Sequence, residues 1–159
     1  MAYSVPYKFS QKFRVPARDA FKWCTSFDPD DLILMGDSGK RSIDIISDDT
    51  LILKDTYKVG KAISKRNKIV CLYPDELFWV STHLIGPSKY SQFLYKITAE
   101  SNSSSRLDFT GLKILYSPGK KTKQSISVLA EKLKKADSTS WKKLAQEMER
   151  DWNANKLHR

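Results

Sequence analysis

Cysteine and histidine are scarce in this chain, with two of each among 159 residues. Cys24 and Cys71 lie far apart and no histidine cluster accompanies them, so the donors of a zinc site are missing and both thiols read as reduced core residues. No window approaches the ~20 consecutive apolar residues that a membrane-spanning helix needs. The opening, Met1 to Phe13, lacks the apolar core of a secretory signal, which makes a cytoplasmic location the expectation. Zinc-finger spacing, an aromatic ribonucleoprotein motif, a glycine-rich phosphate loop and a nucleophile elbow are all missing. Nucleic acid is therefore not an expected partner, and no cofactor or metal is expected. No two carboxylates are spaced to meet in an interior.

What is present suits one globular domain spanning 1–159. The 40% apolar and 11% aromatic content is ordinary for a packed protein and too high for a disordered one. The formal charge of +10 is uneven, because residues 113–159 hold twelve Lys and Arg against five Asp and Glu. The first reading of that excess is a solvated helix face. The second is weak contact of the basic C-terminal third with an anionic membrane.

Turn chemistry and periodicity lay out the elements. Tyr7, Phe9, Gln11, Phe13 and Val15 share one face of an extended opening segment, with Lys8, Ser10, Lys12 and Arg14 on the other. Pro16 suits the first turn of a short helix whose apolar side is Ala20, Phe21, Trp23, Cys24 and Phe27. Asp28-Pro29 breaks it, and a second short helix over Leu32 to Met35 is expected to stop near Gly36. Strands are expected near 41–47, 50–59, 62–73, 76–86, 90–100 and 105–116, separated by turn signals such as Tyr73-Pro74-Asp75 and Gly86-Pro87-Ser88. Their connections are too short for parallel crossovers, so the sheet is antiparallel.

One amphipathic helix closes the chain. Ile126, Leu129, Leu133, Ala136, Ser140, Trp141, Leu144, Met148 and Trp152 fall within roughly 160° of arc at 100° per residue. The stripe keeps phase through Asp137 to Ser140, so a single helix over about 125–155 is predicted rather than two. Ala136, Asp137 and Ser140 are small or polar where the stripe is elsewhere large. A packed core leaves no such gap, which points to a cavity beneath the middle of the helix.

The opening strand followed by Val15-Pro16-Ala17, Ala20-Phe21 and Trp23, the Asp28-Pro29 break, the Tyr73-Pro74-Asp75-Glu76-Leu77 turn and the single terminal helix together resemble the START-like helix-grip superfamily. That group includes the birch-pollen-allergen proteins, polyketide cyclases and coenzyme-Q-binding proteins. The resemblance covers the chain by element order and implies an α+β fold. A curved antiparallel sheet of about seven strands would follow two short helices and grip the long C-terminal helix over a hydrophobic cavity. It also implies non-covalent binding, as carrier or sensor, of an apolar or amphipathic small molecule such as a lipid, quinone or polyketide.

Period-2 alternation proposes the lining. Strand 50–59 offers Leu51, Leu53, Tyr57 and Val59; strand 90–100 offers Phe93, Tyr95 and Ile97; the last strand offers Leu107 and Phe109. On strand 76–86 either Trp79 and His83 or Phe78 and Val80 face inward. The candidate ligand-binding residues are Tyr57, Trp79, His83, Phe93, Tyr95, Phe109, Ala136, Asp137 and Ser140. A filled core with each tyrosine hydroxyl satisfied is the competing reading. Two further functions are open. One is a cyclase- or hydrolase-like enzyme with His83 as general base, oriented by Tyr57, Tyr95 or Asp137; the other is an interaction module built on the basic helix. His158 sits near the C-terminus. The sequence leaves the oligomeric state open.

Overall fold

Alternating side chains and tight turns produce seven strands in chain order, and the computed structural model, which describes residues 1–34 and 38–155, shows how they close. The elements are β1 (Ala2–Phe13), α1 (Ala17–Cys24), α2 (Asp31–Leu34), β2 (Gly39–Ser47), β3 (Thr50–Val59), β4 (Ala62–Tyr73), β5 (Phe78–His83), β6 (Gln92–Ala99), β7 (Ser105–Tyr116) and α3 (Lys123–Asn153). The expected stop of the second helix at Met35 and Gly36, and His158, lie outside the described residues. Strands β2 to β7 follow one another as antiparallel neighbours, while β1 pairs with β7, giving the order β1-β7-β6-β5-β4-β3-β2 in one curved open sheet. The segment holding α1 and α2 therefore carries the chain from one edge of the sheet to the other.

Local chemistry explains the boundaries. Pro6 sits inside β1 without harm, since an edge strand has a side that needs no ladder donor. Pro16 occupies the cap position before α1, one residue earlier than a first-turn proline. Thr122 caps α3 by accepting from the Ser125 amide at 3.1 Å. Helix α3 runs unbroken through Asp137 and Ser138, as its in-phase stripe predicts, and at 31 residues it is about 46 Å long.

The core has two parts. The larger one joins α1 (Ala20, Phe21, Trp23), strands β3 to β7 (Leu53, Val70, Trp79, Ile97, Leu107) and the C-terminal half of α3 (Leu144, Ala145, Met148). The smaller one is the aromatic group Tyr7, Phe93 and Phe109, against which Ala130 and Leu133 of α3 pack. Polar ties fix the helix to β1, to the residue after it and to α1. Trp23 Nε1 donates to Asp151 at 2.8 Å, the Arg14 amide donates to Glu149 at 3.0 Å, and the Tyr7 hydroxyl donates to Asp137 at 2.5 Å. Among the described residues no helix is long and apolar enough to cross a membrane.

Candidate functional site

The concave face is written by register. Pairing aligns Arg41, Asp55 and Arg66 in one row across β2, β3 and β4, and Ile43, Leu53, Lys68 and His83 in the next row across β2 to β5. Leu51, Val70, Ser81, Phe93, Gly111 and Tyr7 form a third row across β3 to β7 and β1. On β5, Trp79, Ser81 and His83 are the buried side, which resolves the two alternatives for that strand. Phe78 lies on the opposite side, stacked on half-exposed Tyr73 at 4.2 Å.

Between this face and the middle of α3 lies a cavity of about 140 Å³ lined by Tyr7, Tyr57, Arg66, Lys68, His83, Phe93, Tyr95, Phe109, Lys113, Asp137, Ser140 and Trp141 among others. A second lobe of about 100 Å³ continues toward α1 and α2, past Trp23, Phe27, Trp79 and Leu144, and shares Lys68, Tyr95 and Trp141 with the first. The wall between them is aromatic. Tyr95 stacks on Trp79 with centroids 4.8 Å apart, and Trp141 from the helix tilts over both at 5.7 and 6.4 Å. A larger hollow of about 440 Å³ runs along the outside between β1 and α3, at Pro6, Lys8, Thr110 and Lys134. It is a surface trough and would leave an occupant in water.

Of the sequence-derived candidates, Tyr57, His83, Phe93, Tyr95, Phe109, Asp137 and Ser140 come together around the first lobe, and Trp79 lines the second. Ala136 does not join them. It is exposed, because the inward axis of α3 runs through Leu133, Asp137, Trp141 and Leu144, and one residue's 100° turn carries Ala136 off that axis.

The charged lining escapes the apolar pattern. Asp55 is almost wholly buried and takes a two-pronged ion pair from Arg41, at 2.7 and 2.9 Å, with Lys68 Nζ at 3.3 Å. Burial acts to raise the Asp55 pKa, but the Arg41 hydrogen bonds and the Lys68 charge outweigh it and hold the carboxyl below its ordinary range. Lys68 and Lys113 are both pushed below the ordinary lysine value, chiefly by burial. Burial raises Asp137 against the opposing pull of the Tyr7 hydrogen bond and of Lys113. Tyr7 and Tyr95 are raised by burial and by the Asp137 charge, so both are phenols at any ordinary pH. His83 falls to about 3, through burial first and then the charges of Lys68, Arg66 and Lys113. Its Nδ1 is buried without a hydrogen-bond partner, as is Arg66 Nε.

Four of these residues carried a readable signal. Asp55 is in phase with Leu51, Leu53 and Tyr57; Lys68 and Arg66 are in phase with Val70; Lys113 is in phase with Leu107 and Phe109. Strand periodicity assigns a face whatever the polarity of the residue.

No family model matches the sequence, and no curated protein matches it. Solved structures do match in shape. The Zhui aromatase/cyclase from Streptomyces sp. R1128 superposes with a TM-score of 0.75 at 12% identity, over 94% of this chain and 96% of that one. A Staphylococcus aureus protein of unknown function, SA2116, gives 0.74 at 9% identity, over 96% and 98%. Norcoclaurine synthase from Thalictrum flavum, solved with dopamine and hydroxybenzaldehyde, gives 0.63 at 12% identity, over 92% and 88%. The chain has the START-like helix-grip fold. At these identities the likeness carries the fold and not an activity. Among the described residues no cluster of His, Cys, Asp and Glu is arranged to hold a metal.

Proposed function

We propose that this protein binds a small ring-bearing molecule non-covalently in the cavity between the sheet and α3. The observation that carries the reading is the aromatic wall of Trp79, Tyr95 and Trp141 beside an unfilled space. Flat apolar walls with a few fixed polar groups are the usual make-up of a small-molecule site. Size narrows the class. A 150 Å³ apolar cavity holds benzene, so a lobe of about 140 Å³ suits one ring, with a substituent reaching the lobe of about 100 Å³. A long-chain lipid would need the helix to lift. Norcoclaurine synthase, of the same fold, was solved with two single-ring compounds, which agrees with this size class.

The enzyme reading is weaker for a chemical reason. A histidine with a pKa near 3 is a poor base at neutral pH. Of Tyr57, Tyr95 and Asp137, the three groups that could orient it, Asp137 is engaged by Tyr7, and the Tyr57 hydroxyl donates to Asp55 at 3.3 Å. Native mass spectrometry of the purified protein tests the binding proposal. A mass excess released by gentle activation and identified as a ring compound is the expected result. A released acyl lipid would contradict the size argument and favour a carrier whose helix opens.

A further inference from the structure

We infer that the cavity holds an anionic group of its ligand, so that the preferred occupant is an aromatic carboxylate rather than a neutral ring. The inference rests on the binding reading above and narrows it. Arg66, Lys68 and Lys113 all line the lobe of about 140 Å³, against one lining carboxylate, Asp137. Asp55, behind Lys68, is already saturated by the two-pronged contact from Arg41. Among the described residues no carboxylate lies within ion-pair distance of Arg66 or Lys113.

Arg66 and Lys113 are half-buried, and an unpaired cation that loses part of its water is costly unless something offsets that loss. Internal partners offset part of it. The Arg66 guanidinium lies 4.9 Å from the Tyr57 ring centroid, a cation–π contact that leaves its in-plane donors unused. One of those donors, Nε, is buried and has no acceptor. A guanidinium edge with a free Nε is the shape that grips a carboxylate with two parallel hydrogen bonds. Lys113, from β7 on the far side of the same lobe, adds a second positive charge that is offset only by Asp137. Neutral His83 lies between, with its ring edge-on to Phe93 at 5.2 Å. The aromatic wall then receives the ring and the cationic side receives the carboxylate.

The test compares 4-hydroxybenzoate with its uncharged amide, 4-hydroxybenzamide, by isothermal titration against the intact protein. The two differ in charge and hardly in size. The expected result is at least tenfold tighter binding of the carboxylate, with a strong salt dependence that the amide lacks. Arg66→Gln and Lys113→Gln should each shrink the carboxylate-to-amide affinity ratio to within about threefold, with folding checked by circular dichroism and thermal unfolding. Should Arg66→Gln fail to fold, the wild-type comparison and Lys113→Gln still decide. Equal affinities for the two compounds in the wild type would overturn the anionic site and leave the binding reading intact. Binding of neither at millimolar concentration would overturn both.

Discussion

Single residues set the conditions of the cavity, and His83 is the most informative of them. Its folded pKa of about 3 lies below the unfolded value of 6.5. Between those values the unfolded chain takes up a proton that the folded chain refuses, so stability is full above pH 6.5 and falls as the pH drops toward 3. The loss attributable to this one residue is on the order of a few kcal/mol. Asp137, raised by burial, works the other way just above the ordinary carboxylate range, and Asp55 adds a further loss as the pH falls from the ordinary carboxylate value through its own lowered one. Urea titrations at a series of pH values should show a steep slope between 6.5 and 4 in the wild type. In His83→Leu that slope should flatten or reverse; an unchanged slope would mean that His83 ionises freely in the folded state.

Gly111 is a second residue with a definite geometric reason. A Cβ there would meet ring atoms of Phe109 at 2.9 Å and Tyr7 at 3.0 Å, because both rings lie over the glycine. Rings packed in the small aromatic core have little room to move aside. Gly111→Ala should therefore cost about 1–3 kcal/mol of overpacking, measurable by chemical denaturation. A neutral result would show that the cluster is looser than the contacts among Tyr7, Phe93 and Phe109 suggest.

At the scale of elements, α3 is anchored strongly by its C-terminal half and by one polar tie at its middle. Trp23–Asp151 and Arg14–Glu149 hold the end, while Tyr7–Asp137 closes the cavity. Removing the tyrosine hydroxyl leaves a half-buried carboxylate short of a donor, so Tyr7→Phe should destabilise by about 1–3 kcal/mol. Leucine substitutions separate the faces of the helix. Ala136→Leu is exposed and should fall within about 0.5 kcal/mol of wild type. Ser140→Leu enters the cavity, and it should lower affinity for a ring compound without the overpacking penalty of a filled core. Strong destabilisation by Ser140→Leu would instead mean that the space is not free.

The same helix shows how far the sequence could be read. The phase of its stripe is enough to predict one unbroken helix and a change of character near Asp137, because helical spacing survives any choice of side chain. It misplaces Ala136, since the axis of a broad stripe is uncertain by about one residue until a sheet is present to define it. On the strands, Leu51, Leu53, Tyr57, Phe93 and Phe109 are legible as interior because they are apolar at period 2. Arg41, Arg66, Lys68 and Lys113 obey the same period, but their polarity reads as solvent-facing. Only pairing across β2, β3 and β4, which brings Arg41 onto Asp55, shows how charges come to be buried.

At the scale of the whole molecule, charge is divided between inside and outside. Lys121, just before α3, and Lys132, Lys135, Lys142 and Lys143 of the helix are all exposed, away from the cavity. Each could add about 1 kcal/mol at an anionic surface, an attraction that fades as salt shortens the Debye length to ~8 Å. Co-sedimentation at low ionic strength should show more protein on acidic than on neutral vesicles, and none on either at physiological salt. Retention that persists at physiological salt would point to a dedicated membrane surface. The inner cations are a separate population, shielded by the sheet and the helix, and they bear on the ligand instead.

The central claim is that the space beneath α3 is a binding site for a single-ring compound. Backbone amide spectra of the isotopically labelled protein, followed during titration with 4-hydroxybenzaldehyde, test it most directly. Saturable shifts concentrated at Trp79 to His83, Phe93 to Tyr95, and Asp137 to Trp141 are the expected result. Absence of shifts, or shifts confined to the outer lysine face of α3 and the trough beside β1, would contradict it.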